Sequence, residues 1–223
     1  MVPALAAAGL EVVYTEQFPY TINTVEGYQD LVRRAKAAVP SAQAILAASY
    51  SYSKMVIAAA QVWPTTAAET NPLKAYIGTF GLASQQMLTE AGQYSEKTFG
   101  TSPWELGSAP QRAKDMEQRI VQDFQADNGS TPMYLNMLGY CQALLVLEAC
   151  KRVIDAENDL TPANVAAEMR KTDRILPIGA VAFDEVGDSK YYVTRIVQAQ
   201  DGKFVVVYPL DVKTADARPG VSW

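Results

Sequence analysis

Between Ala42 and Gln61 the chain passes from an unbroken apolar run, through a row of hydroxyls, into helical spacing. Ala44-Ile45-Leu46-Ala47-Ala48 carries no charge and follows Pro40, the pattern of a strand buried on both faces of a parallel sheet. Ser49-Tyr50-Ser51-Tyr52-Ser53 then offers a hydroxyl at every position. From Lys54 to Val62, residues Met55, Val56, Ala59 and Val62 share one side of a helix. The spacing predicts strand, polar loop, helix.

The same reading extends along the chain. Pro3 to Gly9 is the tail of a helix stopped by Gly9, and Leu10 to Tyr14 is a strand. Tyr28 to Ala38 is an amphipathic helix with Leu31, Val32 and Ala35 inward and Arg33, Arg34 and Lys36 outward. Lys74 to Gly78 is a second short strand with Thr79-Phe80-Gly81 at its carboxyl end, and Leu82 to Ala91 is helical. Gly92 to Ser108 is turn-rich and reads as a crossing segment. Gln111 to Ala126 keeps Met116, Ile120, Val121 and Phe124 at helical spacing, and Met133 to Ile154 is the longest apolar helix. Thr161 caps a further helix whose first position is Pro162. Pro177 to Phe183, Tyr191 to Gln200 and Phe204 to Tyr208 are extended, the last two joined by Asp201-Gly202, a hairpin signal. Strand–helix alternation followed by a hairpin predicts an α/β fold, with a mostly parallel sheet and an antiparallel appendage.

Composition narrows the chemistry. A chain of 223 residues that is 49% hydrophobic can bury a substantial core. A net charge of −5 and the lack of a basic block disfavour nucleic acid and anionic membranes as partners. No apolar run approaches the ~20 residues of a membrane span, and the opening MVPALAAAGLEVVY does not read as a signal peptide. There is no histidine, which removes Ser-His-Asp and Cys-His catalysis and histidine metal sites. Cys141 and Cys150, nine apart on one helix, would stand more than ~12 Å apart along its axis. That is too far for a disulfide, so both read as structural thiols. No nucleotide fingerprint, Walker loop, G-x-S-x-G or C-x-x-C occurs. Neither an enzyme nor a cofactor is expected. The Asp184–Asp188 turn lacks the alternating oxygen ligands of a calcium loop and reads as a solvated turn with Gly187 at positive φ.

What remains is the hydroxyl-rich loop. In open α/β sheets small ligands sit beyond the carboxyl ends of strands, and alternating Ser and Tyr supply flat apolar faces with donors and acceptors. Recognition of a small polar organic molecule and a solvated turn with Ser as helix cap both fit this loop.

Four stretches, in order, resemble the type I periplasmic solute-binding proteins, and in particular the leucine/isoleucine/valine-binding group that serves ABC importers. They are YQDLVRRAKAAVPSAQAILAASYSY (28–52), KAYIGTFG (74–81), YLNMLGYCQALLVLEA (134–149), and IGAVAFDEVGD (178–188) with the later IVQAQDGKFVVVYP. The resemblance implies a type I, mostly parallel sheet with helices on both faces, present in part. Residues 1–103 would be the remainder of the C-terminal lobe, 104–185 a crossing segment and helices belonging with the N-terminal lobe, and 186–223 returning strands, hinge and C-terminal hairpin. The first lobe's sheet has no counterpart, so the chain reads as a truncated product whose helices expose apolar faces. Tyr50, Ser51, Tyr52, Thr79, Phe80 and Trp104 are the expected ligand contacts. Phe80 reads equally as core filling and Trp104 as hinge packing, and Tyr134 and Tyr140 read as helix packing. Amino-acid-binding relatives place an acid where Phe80 aligns, which implies a more apolar or aromatic carboxylate or an amide as solute. The implied function is solute capture without chemistry, in the periplasm or on an extracellular lipid anchor, with ABC permease subunits as partners. The alternative is a sensor domain of the same architecture.

Overall fold

Helix α1 (Val2–Ala7) opens the chain, and helix α2 (Val25–Ala38) follows a long irregular stretch. Thr24, in extended conformation, accepts a hydrogen bond from the Gly27 N–H through its hydroxyl at 3.1 Å and so caps α2. Tyr28, Leu31 and Val32 are buried while Arg33 and Arg34 face solvent, the division that the sequence period predicts. In the computed structural model residues 2–49, 51–63, 73–192, 194–221 and 223 are described.

Strand β1 (Ala44–Ala47), helix α3 (Tyr52–Val62), strand β2 (Ala75–Phe80), helix α4 (Gln85–Ala91) and strand β3 (Phe99–Ser102) follow in βα alternation. β1 pairs parallel with β2 from Ala44↔Ala75 to Ala47↔Gly78, and β2 pairs parallel with β3. The five-stranded sheet has the order β1-β2-β3-β6-β7, where β6 is Arg195–Gln200 and β7 is Lys203–Tyr208. Asp201 and Gly202 join the last two with φ of 54° and 76°. Both values lie in the left-handed region that a two-residue hairpin turn demands. Helices α5 (Lys114–Asn128), α6 (Tyr134–Asp155) and α7 (Pro162–Arg170) come between β3 and an antiparallel pair, β4 (Asp173–Leu176) with β5 (Gly179–Ala182). The fold is α/β with a mostly parallel sheet, as the sequence reading has it.

The chain forms two compact units. Unit 1 comprises residues 1–101, 197–204 and 217–223; unit 2 comprises 102–196 and 205–216. Unit 1 packs Tyr28, Leu31, Val32, Val56, Trp63, Tyr76, Leu82 and Met87 into one core. Unit 2 packs Trp104, Ile120, Val121, Tyr134, Met137, Cys141, Leu145, Leu176 and Val181 into another. Neither cysteine is in a disulfide; Cys141 is buried, and burial pushes its thiol up to about 11. Helix α6 buries one stripe and leaves Leu147 and Ile154 on the other side 66% and 60% exposed. Tyr134 is buried, whereas Tyr140 is half exposed and does not pack as expected.

Four expectations need correction. β1 is not buried on both faces: it is the edge of its sheet, and Leu46 is 40% exposed. Leu10–Tyr14 is no strand, and its Leu10 and Val13 side chains are exposed. Its composition is right for a strand, but strand formation needs a partner ladder. β3 lies inside the stretch read as turns, and β4 was not foreseen. The strand expected from Tyr191 begins only at Arg195, because Lys190 N–H closes back on the Ala182 carbonyl and Tyr191 and Tyr192 point to solvent. The Asp184–Asp188 turn is as expected, with Gly187 at φ 97° and the Asp184 carboxylate accepting from the N–H groups of Val186, Gly187 and Asp188.

Candidate functional site

The carboxyl ends of β1 and β2 carry the hydroxyl-rich loop, all within unit 1. Past β1, the Ser49 hydroxyl bonds the Tyr28 phenol at 2.7 Å and accepts the Ser51 N–H at 3.1 Å. These two bonds fold the loop back over α2. Ser51 is the residue before α3 and makes no side-chain cap bond, while its carbonyl accepts from Met55 N–H. Tyr52 opens α3, and its phenol bonds the Thr79 hydroxyl at 2.5 Å, which ties the helix start to the end of β2. Tyr52 is half-buried, its ring packed at the margin of the core.

Gly81 lies under that ring with φ 103°, and a methyl group built there would stand 3.2 Å from Tyr52 Cε2. Only glycine combines that backbone angle with so close an aromatic neighbour. At the second residue of α3, the Ser53 hydroxyl donates to the Glu90 carboxylate, which also accepts from Gln86 Nε2. These donors, Ser53 first, hold the Glu90 carboxyl below the usual range.

Of the expected contacts, the structure brings Tyr52 and Thr79 together and sets Ser51 beside them. Phe80 is the last residue of β2, and Tyr50 lies outside the described residues. Tyr28, Ser49, Gly81 and Glu90 complete the constellation. Of these, Tyr28 could have been suspected, because it heads the stretch that ends in the loop.

Trp104 belongs to unit 2, is 1% exposed, and donates its indole N–H to Glu117 Oε1 at 2.7 Å. The same oxygen accepts from Gly107 N–H and Ala109 N–H, both at 3.2 Å. Glu117 is itself buried on α5. Among the described residues no cluster of acids and thiols could hold a metal ion, and no helix is long and apolar enough to cross a membrane.

These features can be set beside known proteins. The family model described as "Periplasmic binding protein" matches residues 2–203. No curated protein matches the chain. A leucine-binding protein of Thermotoga maritima is similar at 20% identity and TM-score 0.64, over 80% of this chain and 47% of that one. A transporter substrate-binding protein of Desulfitobacterium hafniense, solved with leucine, gives 20% identity and TM-score 0.61, over 90% and 52%. A leucine-, isoleucine-, valine-, threonine- and alanine-binding protein of Brucella ovis in its closed conformation gives 16% and 0.69, over 97% and 55%. The chain thus spans about half the length of these relatives, and at such identities the likeness is one of fold. With nine-tenths of its length inside the family model, the chain belongs to the periplasmic binding protein family.

Proposed function

We propose that this chain is the solute-capturing part of a non-enzymatic binding protein that serves an ABC importer in the periplasm or at the outer cell surface, with permease subunits as its protein partners. The solute rests at the carboxyl rim of β1 and β2 against Tyr50, Ser51, Tyr52, Thr79 and Phe80. The observation that carries the reading is the bond from Tyr52 at the start of α3 to Thr79 at the end of β2. It fixes an aromatic face and two hydroxyls where a parallel sheet presents its ligand side. Relatives of the same fold bind leucine, which supports a solute of that size.

The solute class follows from Phe80. Without a carboxylate at that position an α-amino acid loses a charge-assisted partner for its ammonium, a loss of ~1.5–3 kcal/mol. An aromatic or apolar carboxylate, or an amide, loses nothing. Isothermal titration calorimetry on the protein tests this, with leucine against phenylacetate and its amide. The aromatic acid or amide should bind at least tenfold more tightly than leucine. Tight leucine binding with silent aromatic solutes overturns the assignment of solute, and turnover of any bound solute overturns the assignment as a non-enzyme.

A further inference from the structure

One hydroxyl of the loop has its hydrogen-bonding role fixed by its neighbours. Tyr28 of α2 is 2% exposed, and its ring lies edge-on to Phe18, with centroids 5.8 Å apart and planes at 87°. Its backbone N–H bonds the Thr24 carbonyl at 3.1 Å. The phenol therefore stands in a set place, and there it meets the Ser49 hydroxyl at 2.7 Å. Ser49 is the second residue past β1 and is part-exposed, next to the exposed Ala48.

Either oxygen of this pair could supply the proton, and burial decides which one does. Among the described residues the Tyr28 phenol has no hydrogen-bond partner besides Ser49. Were Ser49 the donor, the phenolic proton would be buried without an acceptor, at the full desolvation cost of that group. With the phenol as donor that cost disappears, so Tyr28 donates. The Ser49 oxygen then receives two protons, one from the Tyr28 phenol and one from the Ser51 N–H at 3.1 Å. A serine oxygen has two lone pairs, and both are spent. What Ser49 has left is its own O–H, for which the described residues hold no acceptor.

We infer that Ser49 binds the solute as a hydroxyl restricted to donating, and that it takes an acceptor oxygen, a carboxylate in preference to an amide. Tyr28 is its positioning residue and does not touch the solute. A proton received from the phenol polarises the serine hydroxyl and strengthens the next bond in the chain, most of all when the acceptor is charged. A solute N–H or ammonium gains nothing from Ser49, because the lone pairs that would receive it are occupied. This assignment rests on the solute lying at the carboxyl rim of β1 and β2, as proposed above, and adds which of its groups faces β1. It does not depend on Phe80.

The test is isothermal titration calorimetry near neutral pH with phenylacetate, or with leucine should phenylacetate be silent, since both carry a carboxylate. The comparison solute is 2-phenylethylamine, which can only donate. Ser49→Ala should weaken carboxylate binding about tenfold or more and leave 2-phenylethylamine as it is with the unsubstituted protein. Ser49→Thr keeps the hydroxyl and should stay within about threefold of the unsubstituted protein. Tyr28→Phe keeps the ring and its contact with Phe18 but frees the Ser49 hydroxyl to turn, so the carboxylate should weaken about threefold. Unchanged carboxylate affinity in Ser49→Ala, or a loss shared equally by 2-phenylethylamine, overturns the role of Ser49 and leaves the solute reading standing. Silence of both carboxylates with the unsubstituted protein overturns that reading and the role of Ser49 with it. Should Ser49→Ala fold poorly by circular dichroism, Tyr28→Phe decides: a loss confined to the carboxylate supports the assignment, and unaltered affinity refutes it.

Discussion

Gly78→Ala is the substitution that most directly tests how the candidate site is built. Gly78 sits in β2 opposite Ala47, one residue before Thr79. A methyl group there would meet Leu82, with Leu82 Cβ at 2.9 Å and Cγ at 3.1 Å and Cδ1 nearer still. Leu82 also covers Gly100 of β3, where a methyl group would find its Cδ2 at 2.9 Å and Cβ at 3.3 Å. A single fully buried leucine thus lies across two adjacent strands in a slot that two glycines leave open. A rotamer change could move Cδ1 away but not Cβ, which is fixed by the turn in which Leu82 N–H bonds the Thr79 carbonyl at 3.2 Å. The loop itself must shift.

Overpacking of this kind costs ~1–3 kcal/mol, less ~0.5–1 kcal/mol returned because alanine loses less freedom on folding than glycine. Gly78→Ala should therefore destabilise unit 1 by ~1–2 kcal/mol in equilibrium urea unfolding followed by circular dichroism. Leu82→Ala alone should cost ~2–5 kcal/mol for the cavity. In the double variant the methyl enters space that Cγ and Cδ1 have vacated but still meets Cβ, so the pair should be better than additive by ~0.5 kcal/mol or more. A harmless Gly78→Ala, or strict additivity, would refute the account of Leu82 as the wedge that sets the loop.

Further outcomes concern the other positions. Glu117→Ala leaves the Trp104 indole and two backbone N–H groups without their acceptor and should cost ~3–5 kcal/mol; Glu117→Gln should lose less, and equal losses for the two would show that packing, not hydrogen bonding, is what Glu117 supplies. The folded-state carboxyl of Glu105 lies near 7 against an ordinary value of 4.5, so the folded form holds the proton more tightly. Stability should be highest below pH 4.5, fall between 4.5 and 7, and level off above, by up to ~3 kcal/mol. Glu105→Gln should flatten that slope in denaturant midpoints measured against pH, and an unchanged slope would assign it to another group. Tyr52→Phe removes the bond to Thr79 while keeping the ring; it should cost ~0.5–1.5 kcal/mol and weaken solute binding in calorimetry, and unaltered affinity would remove Tyr52 from the site.

Much of the fold is legible because local chemistry and tertiary packing agree. Asp201-Gly202 can adopt the positive φ that the hairpin needs, and α6 carries one apolar stripe that unit 2 buries. Leu10–Tyr14 misled because its β-branched, aromatic composition says nothing about whether a partner strand lies alongside. β3 was hidden because Phe99-Gly100-Thr101-Ser102 looks like a turn, and its glycine is there to admit Leu82. In unit 1 the hydroxyl row points to Tyr52; in unit 2 no pattern points to the buried Glu117 or Arg195. A glutamate on a charged helix resembles solvated surface, although Ala113, Glu117 and Ile120 fall on the buried side of the α5 stretch. A lone arginine opening an apolar strand gives no hint that four carbonyls await it.

The tail has a consequence for biosynthesis. Gln198 Nε2 donates to the carbonyls of Lys97 and Arg218, its oxygen accepts from Arg218 N–H, and the Trp223 indole donates to the Tyr94 carbonyl at 3.0 Å while its ring meets Tyr76 edge-on. Unit 1 is therefore sewn from three separate stretches, the last of them 217–223. A ribosome must finish 102–196 and 205–216 before unit 1 can close. Until then Tyr76 lacks its edge-on contact with the Trp223 ring. Neither unit can be expressed as one uninterrupted piece without re-ordering the gene.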